Sequence, residues 1–385
     1  MGRVPTGRHP RLLGGRERVP SRGVVVGTAI REQVRGEVVR LVHRGLGVPE
    51  LARAVPRVLH RAVPFDGTCL LTVDPATLLP TGEIVQDGLP DAVLGRMTEI
   101  ELGEPDVNKF AVLARGPVST ASLSAATRGE LDHSRRQREL RRPSGFGDEL
   151  RSVLTGAGGP WGALTLLRGI GRPHFAPAEV RFVASVAGVL ADGLQQAALR
   201  GAAAGGPDGE AGLLVLAPDG SVELANRAAD RWLDELGASG RGLPVAVRTA
   251  AVAARRAATG SGGPARARIR TPAGRWALVR GSLLGDGPEA RVAVLLEAAR
   301  APELAPLIAD AYRLTERERL ITELVARGHP TNEIAARLHL SAYTVQDHLK
   351  AIFDKSGTGS RGELVARLFV DQLTLLSGSS PRRPS

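Results

Sequence analysis

The side chains best suited to chemistry lie late in the chain, in residues 341–355, SAYTVQDHLKAIFDK. Val345, Leu349, Ile352 and Phe353 recur at helical period and form one apolar stripe. Ser341 precedes them as a cap, its hydroxyl placed to accept from a backbone N–H of the first turn. The stripe leaves Thr344, Gln346, Asp347, Lys350 and Asp354 on the outward edge. A glutamine can bond an adenine edge at two points, an aspartate can accept from cytosine N4, and a lysine can donate to guanine O6/N7 or to a phosphate. Hydrogen-bonding groups of this kind on one helix edge suit the floor of a DNA groove. The competing reading pairs Asp347 with Lys350 along the helix.

The surrounding segments must position that edge. Thr315 and Glu318 form a capping box, followed by Leu320, Ile321, Leu324 and Val325 on one face, with Gly328 as the stop. Pro330-Thr331 opens a second helix with Ile334, Ala335 and Leu338 inward. Only His339-Leu340 separates it from Ser341, which is helix-turn-helix spacing. Ser360 and Glu363 make another capping box and start a fourth helix carrying Leu364, Val365, Leu368 and Phe369.

The phrases LTERE, GHPTNEIA, LHLSAYTVQDHL and KSGTGSRGE follow one another over residues 314–368. In that order they resemble the LuxR-type DNA-binding domain. The resemblance implies a four-helix module whose third helix enters the major groove and whose fourth makes a homodimer contact, here through Leu364, Val365 and Leu368. It makes Gln346, Asp347 and Lys350 the base-reading residues. Thr344, Lys355 and Arg361, the helix starts Thr331 and Ser341, and His348 then face backbone phosphates. Gln346 stands where the family usually has a basic residue, and Asp347 where it has a small apolar one. A carboxylate in the groove repels phosphate, so weak or selective binding follows.

Charge alone does not find this module. The 385-residue chain carries a formal net charge of +11, yet residues 312–376 hold nine Lys and Arg against eight Asp and Glu. The excess sits in the N-terminal arm and in residues 128–142, where HSRRQRELRR reads either as a solvated helix face or as a contact for an anion or DNA phosphates. Lysine occurs only as Lys109, Lys350 and Lys355, so two of three fall on the reading helix.

The length predicts two or three domains. Residues 1–23 read as a disordered basic arm. Residues 24–200 alternate helices and strands: a first helix at 24–45 capped by Thr28, a second at 49–61, strands at 67–73 and 83–86, helical residues 90–115, a strand at 161–168 and a closing helix at 177–200. FDGTCLLTVDPATLLPTGEIVQDGLP and FAPAEVRFVASVAGVLADGL in this region resemble GAF domains. Residues 201–212 are a Gly/Ala linker. Residues 213–298 give two strands around Asp219-Gly220, two helices with Asn226 as a cap, and three strands; PDGSVELANRAADRWL resembles the opening of a PAS domain. Residues 299–313 are a connector, 314–376 the helical module, and 377–385 a disordered tail.

The expected fold class is therefore multidomain, two α+β sensor-like domains followed by an all-α four-helix domain. No apolar run approaches the ~18–20 residues of a membrane span. A single cysteine, Cys69, excludes an intrachain disulfide and suits a reducing cytoplasm, where it reads as core packing. Gly357–Gly362 matches G-x-G-x-x-G, but a helix precedes it and no βαβ unit can follow. With no metal-ligand cluster, nucleophile motif, phosphate loop or phosphate-receiver domain, neither an enzyme nor a cofactor is expected. The expected partners are double-stranded DNA, a second copy of the chain, and a small-molecule ligand of the sensor-like domains. The rival is a ligand-sensing signalling protein whose helix-turn-helix serves protein contacts.

Overall fold

Antiparallel pairing organises the N-terminal three quarters of the chain, seen in a computed structural model that describes residues 22–156, 158–199, 210–237, 242–260, 262–300, 303, 304, 307, 312 and 314–365. The basic arm (but for residues 22 and 23), most of the linker, much of the connector and the tail lie outside these residues, as does Leu368.

Helices α1 (Arg22–Val42) and α2 (Val48–Leu59) open the first domain. Val34, Val38, Leu41 and Val42 of α1 are buried, whereas Ile30, one turn earlier on the same face, is 37% exposed. Thr28 lies inside α1 and does not cap it. Pro49 sits in the first turn of α2, where no intrahelical N–H is lost. Strands β1 (Gly67–Val73) and β2 (Pro80–Gln86) form a hairpin. After it come α3 (Leu94–Gly103), α4 (Phe110–Arg115), β3 (Thr120–Ser122), α5 (Leu123–Ala126), a π-helical turn at Gln137–Arg141, β4 (Phe146–Gly156), β5 (Gly159–Gly169) and α6 (Pro177–Leu199). The sheet order is β2-β1-β5-β4-β3.

Strand β4, FGDELRSVLTG, is the element the sequence hid. Its charged residues argue for a surface, yet Asp148, Glu149 and Arg151 are all buried. Glu149 is the hub. Arg136 Nε donates to it at 3.0 Å, Arg141 Nη2 at 3.1 Å, and Arg151 Nε stands 3.2 Å away. Arg136 also reaches Asp106 at 3.0 Å, and Arg151 reaches Glu101 at 2.8 Å. The basic run is thus neither a solvated face nor an anion contact at Arg136 and Arg141. Both are structural cations inside the domain.

The second domain follows with β6 (Gly212–Leu216), β7 (Val222–Ala225), α7 (Arg227–Glu235), α8 (Val245–Ala258), β8 (Arg266–Arg270), β9 (Trp276–Leu284) and β10 (Arg291–Ala298). The turn between β6 and β7 puts Gly220 at φ 85°, where only glycine sits without strain, and Asp219 accepts from the backbone N–H of Ser221 at 2.9 Å. Asn226 caps α7 by accepting from Ala229 N at 2.8 Å, as expected. The sheet order is β7-β6-β10-β9-β8. Counting strands from the start of each domain, both sheets run 2-1-5-4-3.

Three helices end the described chain: α9 (Glu316–Ala326), α10 (Thr331–Leu338) and α11 (Ala342–Ser356), with residues 361–365 opening a fourth. Among the described residues no helix is long and apolar enough to cross a membrane, and no cluster of three or more His, Cys, Asp or Glu is placed to hold a metal.

Candidate nucleic-acid interface

The helices of the last module are bounded by local bonds between residues three to five apart. Glu318 N donates to Thr315 Oγ1 at 3.3 Å while Thr315 N donates to Glu318 Oε2 at 2.7 Å, which closes the capping box of α9. The turn between α10 and α11 is made by His339, at φ 53° and ψ 47°, and Leu340 N donates back to Ala335 O at 2.9 Å. Ser341 Oγ accepts from Thr344 N at 3.0 Å and starts α11. Gly357, at φ 64°, ends it.

Packing then fixes which edge of α11 faces out. Val345, Leu349 and Ile352 are buried against Leu314, Ile321, Val325 and Ile334, with Phe353 half-buried beside them. Gln346, Asp347 and Lys350 consequently share the exposed edge. No side-chain hydrogen bond or ion pair joins any of the three to another described residue, so the local Asp347–Lys350 pair is not formed. Tyr343 is 73% exposed in the first turn of the same helix, a residue that sequence reasoning missed. Its position before the first buried residue of the stripe was the available signal.

The residues expected at phosphates are placed unevenly. Ser341 and Thr344 bond each other through their hydroxyls at 2.8 Å at the start of α11. Thr331 is the first residue of α10 and half-buried, and His348 is half-buried on α11. Arg361 donates to the carbonyl of His329 and ties the fourth helix to the loop before α10. Lys355 is committed elsewhere: its ammonium contacts both carboxylate oxygens of Glu318, at 2.8 and 2.6 Å. Burial would raise the Glu318 carboxyl, but Lys355 and the Thr315 donors outweigh it and hold the group below its ordinary range.

Of the residues expected at the dimer contact, Leu364 and Val365 lie within the described residues, and Leu364 packs inward. That side chain is 1% exposed and belongs to the module's own core, with Val365 half-buried against it. The first turn of the fourth helix thus contributes apolar side chains to the module's own core. In the first domain Cys69 is half-buried on β1, and desolvation pushes its thiol up to about 12, which keeps it protonated.

Two helices joined by a tight left-handed turn, the second presenting free polar groups, define a helix-turn-helix module. Residues 312–368 match the profile described as bacterial regulatory proteins, luxR family. The spore germination protein GerE of Bacillus subtilis is 38% identical over 55 residues, which are 14% of this chain and 74% of GerE. The chain belongs to the LuxR family. The transcriptional regulatory protein DesR of Bacillus subtilis is 35% identical over 96 residues, 23% of this chain and 48% of DesR. UhpA of Escherichia coli, also a transcriptional regulatory protein, is 39% identical over 70 residues, 18% of this chain and 36% of UhpA. The chain therefore spans about half the length of DesR and less of UhpA. Among solved structures, Escherichia coli SdiA aligns over 89% of this chain and 98% of its own, with 12% identity and a TM-score of 0.32.

Proposed function

We propose that the protein is a cytoplasmic DNA-binding transcription regulator that reads the major groove with α11, as a homodimer, under control of a signal received by its N-terminal domains. The observation that carries this is the edge formed by Gln346, Asp347 and Lys350, exposed and with no side-chain partner among the described residues, in a module of the LuxR family. Base-reading is assigned to those three side chains. Phosphate contacts are assigned to Thr331, Ser341, Thr344 and His348, with Arg361 and Lys355 joining only by leaving their present partners. The two N-terminal domains are read as GAF-like and PAS-like, a reading supported by the shared 2-1-5-4-3 strand order and the flanking helices.

Selection of binding sites from random duplex DNA, followed by gel shifts across a salt series, tests the reading. Each neutralised phosphate should add ~0.9 to the slope of log K against log salt. Paired half-sites about 10 base pairs apart are expected from a dimer. A chain that retards no duplex even at low salt would be a protein-contact module instead, the outcome that the near-neutral charge of residues 312–376 would favour.

A further inference from the structure

The two N-terminal domains do not merely follow one another. Leu79, at the tip of the β1–β2 hairpin, is buried in the core of the second domain, while Leu278 of the second domain and Ala299, the first residue of the connector, are buried in the core of the first. Polar contacts reinforce this exchange. Asp74 accepts from Arg268 at three points, its backbone N (2.7 Å), Nε (2.9 Å) and Nη2 (2.6 Å). Arg248 Nη2 reaches Glu83 at 2.5 Å, and Thr249 Oγ1 donates to the Pro80 carbonyl at 3.0 Å.

These contacts frame a cavity of about 590 Å³ between the domains. Leu70, Trp161 and Leu194 wall it from the first domain, and Leu243, Val245 and Trp276 from the second. The volume lies within the ~300–1,000 Å³ of small-molecule sites, which favour domain boundaries. Two features of the wall specify chemistry. Arg248 and Arg268 border the cavity but are each closed onto a carboxylate of the other domain, and Arg270 on the same wall donates to the carbonyls of Gly274 and Ala197, so a charged ligand could use these groups only by displacing bonds already made. Thr72 and Thr81, on facing strands of the hairpin, share one hydrogen bond at 2.8 Å. One hydroxyl proton serves that bond, and the other remains to donate to a ligand oxygen.

We propose that this interdomain cavity binds an uncharged amphipathic small molecule, its apolar body against Trp161 and Trp276 and a hydroxyl or carbonyl oxygen on the Thr72–Thr81 pair. Occupancy bears on both domains at once, so a ligand with unequal affinity for two domain arrangements shifts their balance. That consequence rests on the regulator reading above; binding itself does not.

The full-length chain is titrated with the neutral probe N-phenyl-1-naphthylamine, reading probe emission excited through tryptophan. Saturable binding at one probe per chain is expected, displaced by 1-decanol and at least tenfold less well by decanoate. Ala198→Phe, on the α6 wall, and Leu243→Trp, on the opposite wall, should each weaken the probe at least tenfold with unchanged circular dichroism. Thr72→Val should weaken competition by 1-decanol while sparing the probe, which has no oxygen. The proposal is overturned by non-saturable probe emission, by decanoate competing as well as 1-decanol, or by folded wall variants that bind like the parent. No DNA is present in this assay, so failure of the gel shifts and failure of the cavity are separate results.

Discussion

Lys355 and Glu318 tie the end of α11 to the start of the module. The lysine ammonium spans both oxygens of a carboxylate that also closes the capping box of α9, so one side chain holds α9, its cap and α11 in register. Glu318 is buried and Lys355 about one third exposed. Lys355→Ala leaves a buried carboxylate without its cation and should cost about 1–3 kcal/mol. Chemical denaturation of the module checks this. If Lys355 instead serves a phosphate, the variant keeps its stability and its salt slope falls by ~0.9.

The pair also has a pH signature. Glu318 is held below its ordinary range in the folded chain, so the unfolded state binds the proton more readily. Its contribution is present above the unfolded carboxylate value and is lost as pH falls through the folded one. Denaturation midpoints of the parent should fall with acid more steeply than those of Glu318→Gln.

Gln346, Asp347 and Lys350 should separate by effect on DNA. Lys350→Ala and Gln346→Ala should each weaken binding to the selected site by about 1–3 kcal/mol, with thermal melting unchanged, since both side chains are exposed. Asp347→Ala removes a charge that repels phosphate, so it should strengthen binding to random duplex and relax preference at one position. Gel shifts on selected and random DNA read both. Unchanged binding in all three variants would remove the assignment.

Glu149 makes the first domain dependent on a buried charge network. Burial would raise its carboxyl, but Arg136, Arg141 and Arg151 hold it down at about 2. The stability it contributes is complete above the unfolded value near 4.5 and disappears as pH falls toward about 2. Glu149→Ala leaves the buried Arg141 without a carboxylate and takes one of two carboxylate partners from Arg136 and Arg151, and should cost about 3–5 kcal/mol. Thermal unfolding across the acid range measures both effects.

His339 sits in the left-handed region, where a side chain is crowded, and it is exposed. His339→Gly should therefore stabilise the helix-turn-helix by about 1 kcal/mol without moving α11. A raised urea midpoint with unaltered DNA affinity is the expected result.

Much of this protein is legible in its residues. The caps of α9 and α11, the Val345/Leu349/Ile352 stripe, the Asp219-Gly220 hairpin and the Asn226 cap all depend on partners within a few positions, and each is found as expected, whereas α10 has no side-chain cap and Glu363 accepts from Gly359 N rather than from Ser360 N. Local periodicity also determined which edge of α11 is free, and hence where Gln346, Asp347 and Lys350 lie. Tertiary structure alone decided the fate of charges whose partners are distant in the chain. The Arg136 and Arg141 run became an interior network because β4 brings Glu149 beneath it, Lys355 turned to a glutamate 37 residues away, and Leu364 went inward. The physical reason is common to all three. A cap or a stripe is satisfied by neighbours the chain places automatically, whereas a charge or an apolar side chain is assigned to surface or interior only by what packs against it.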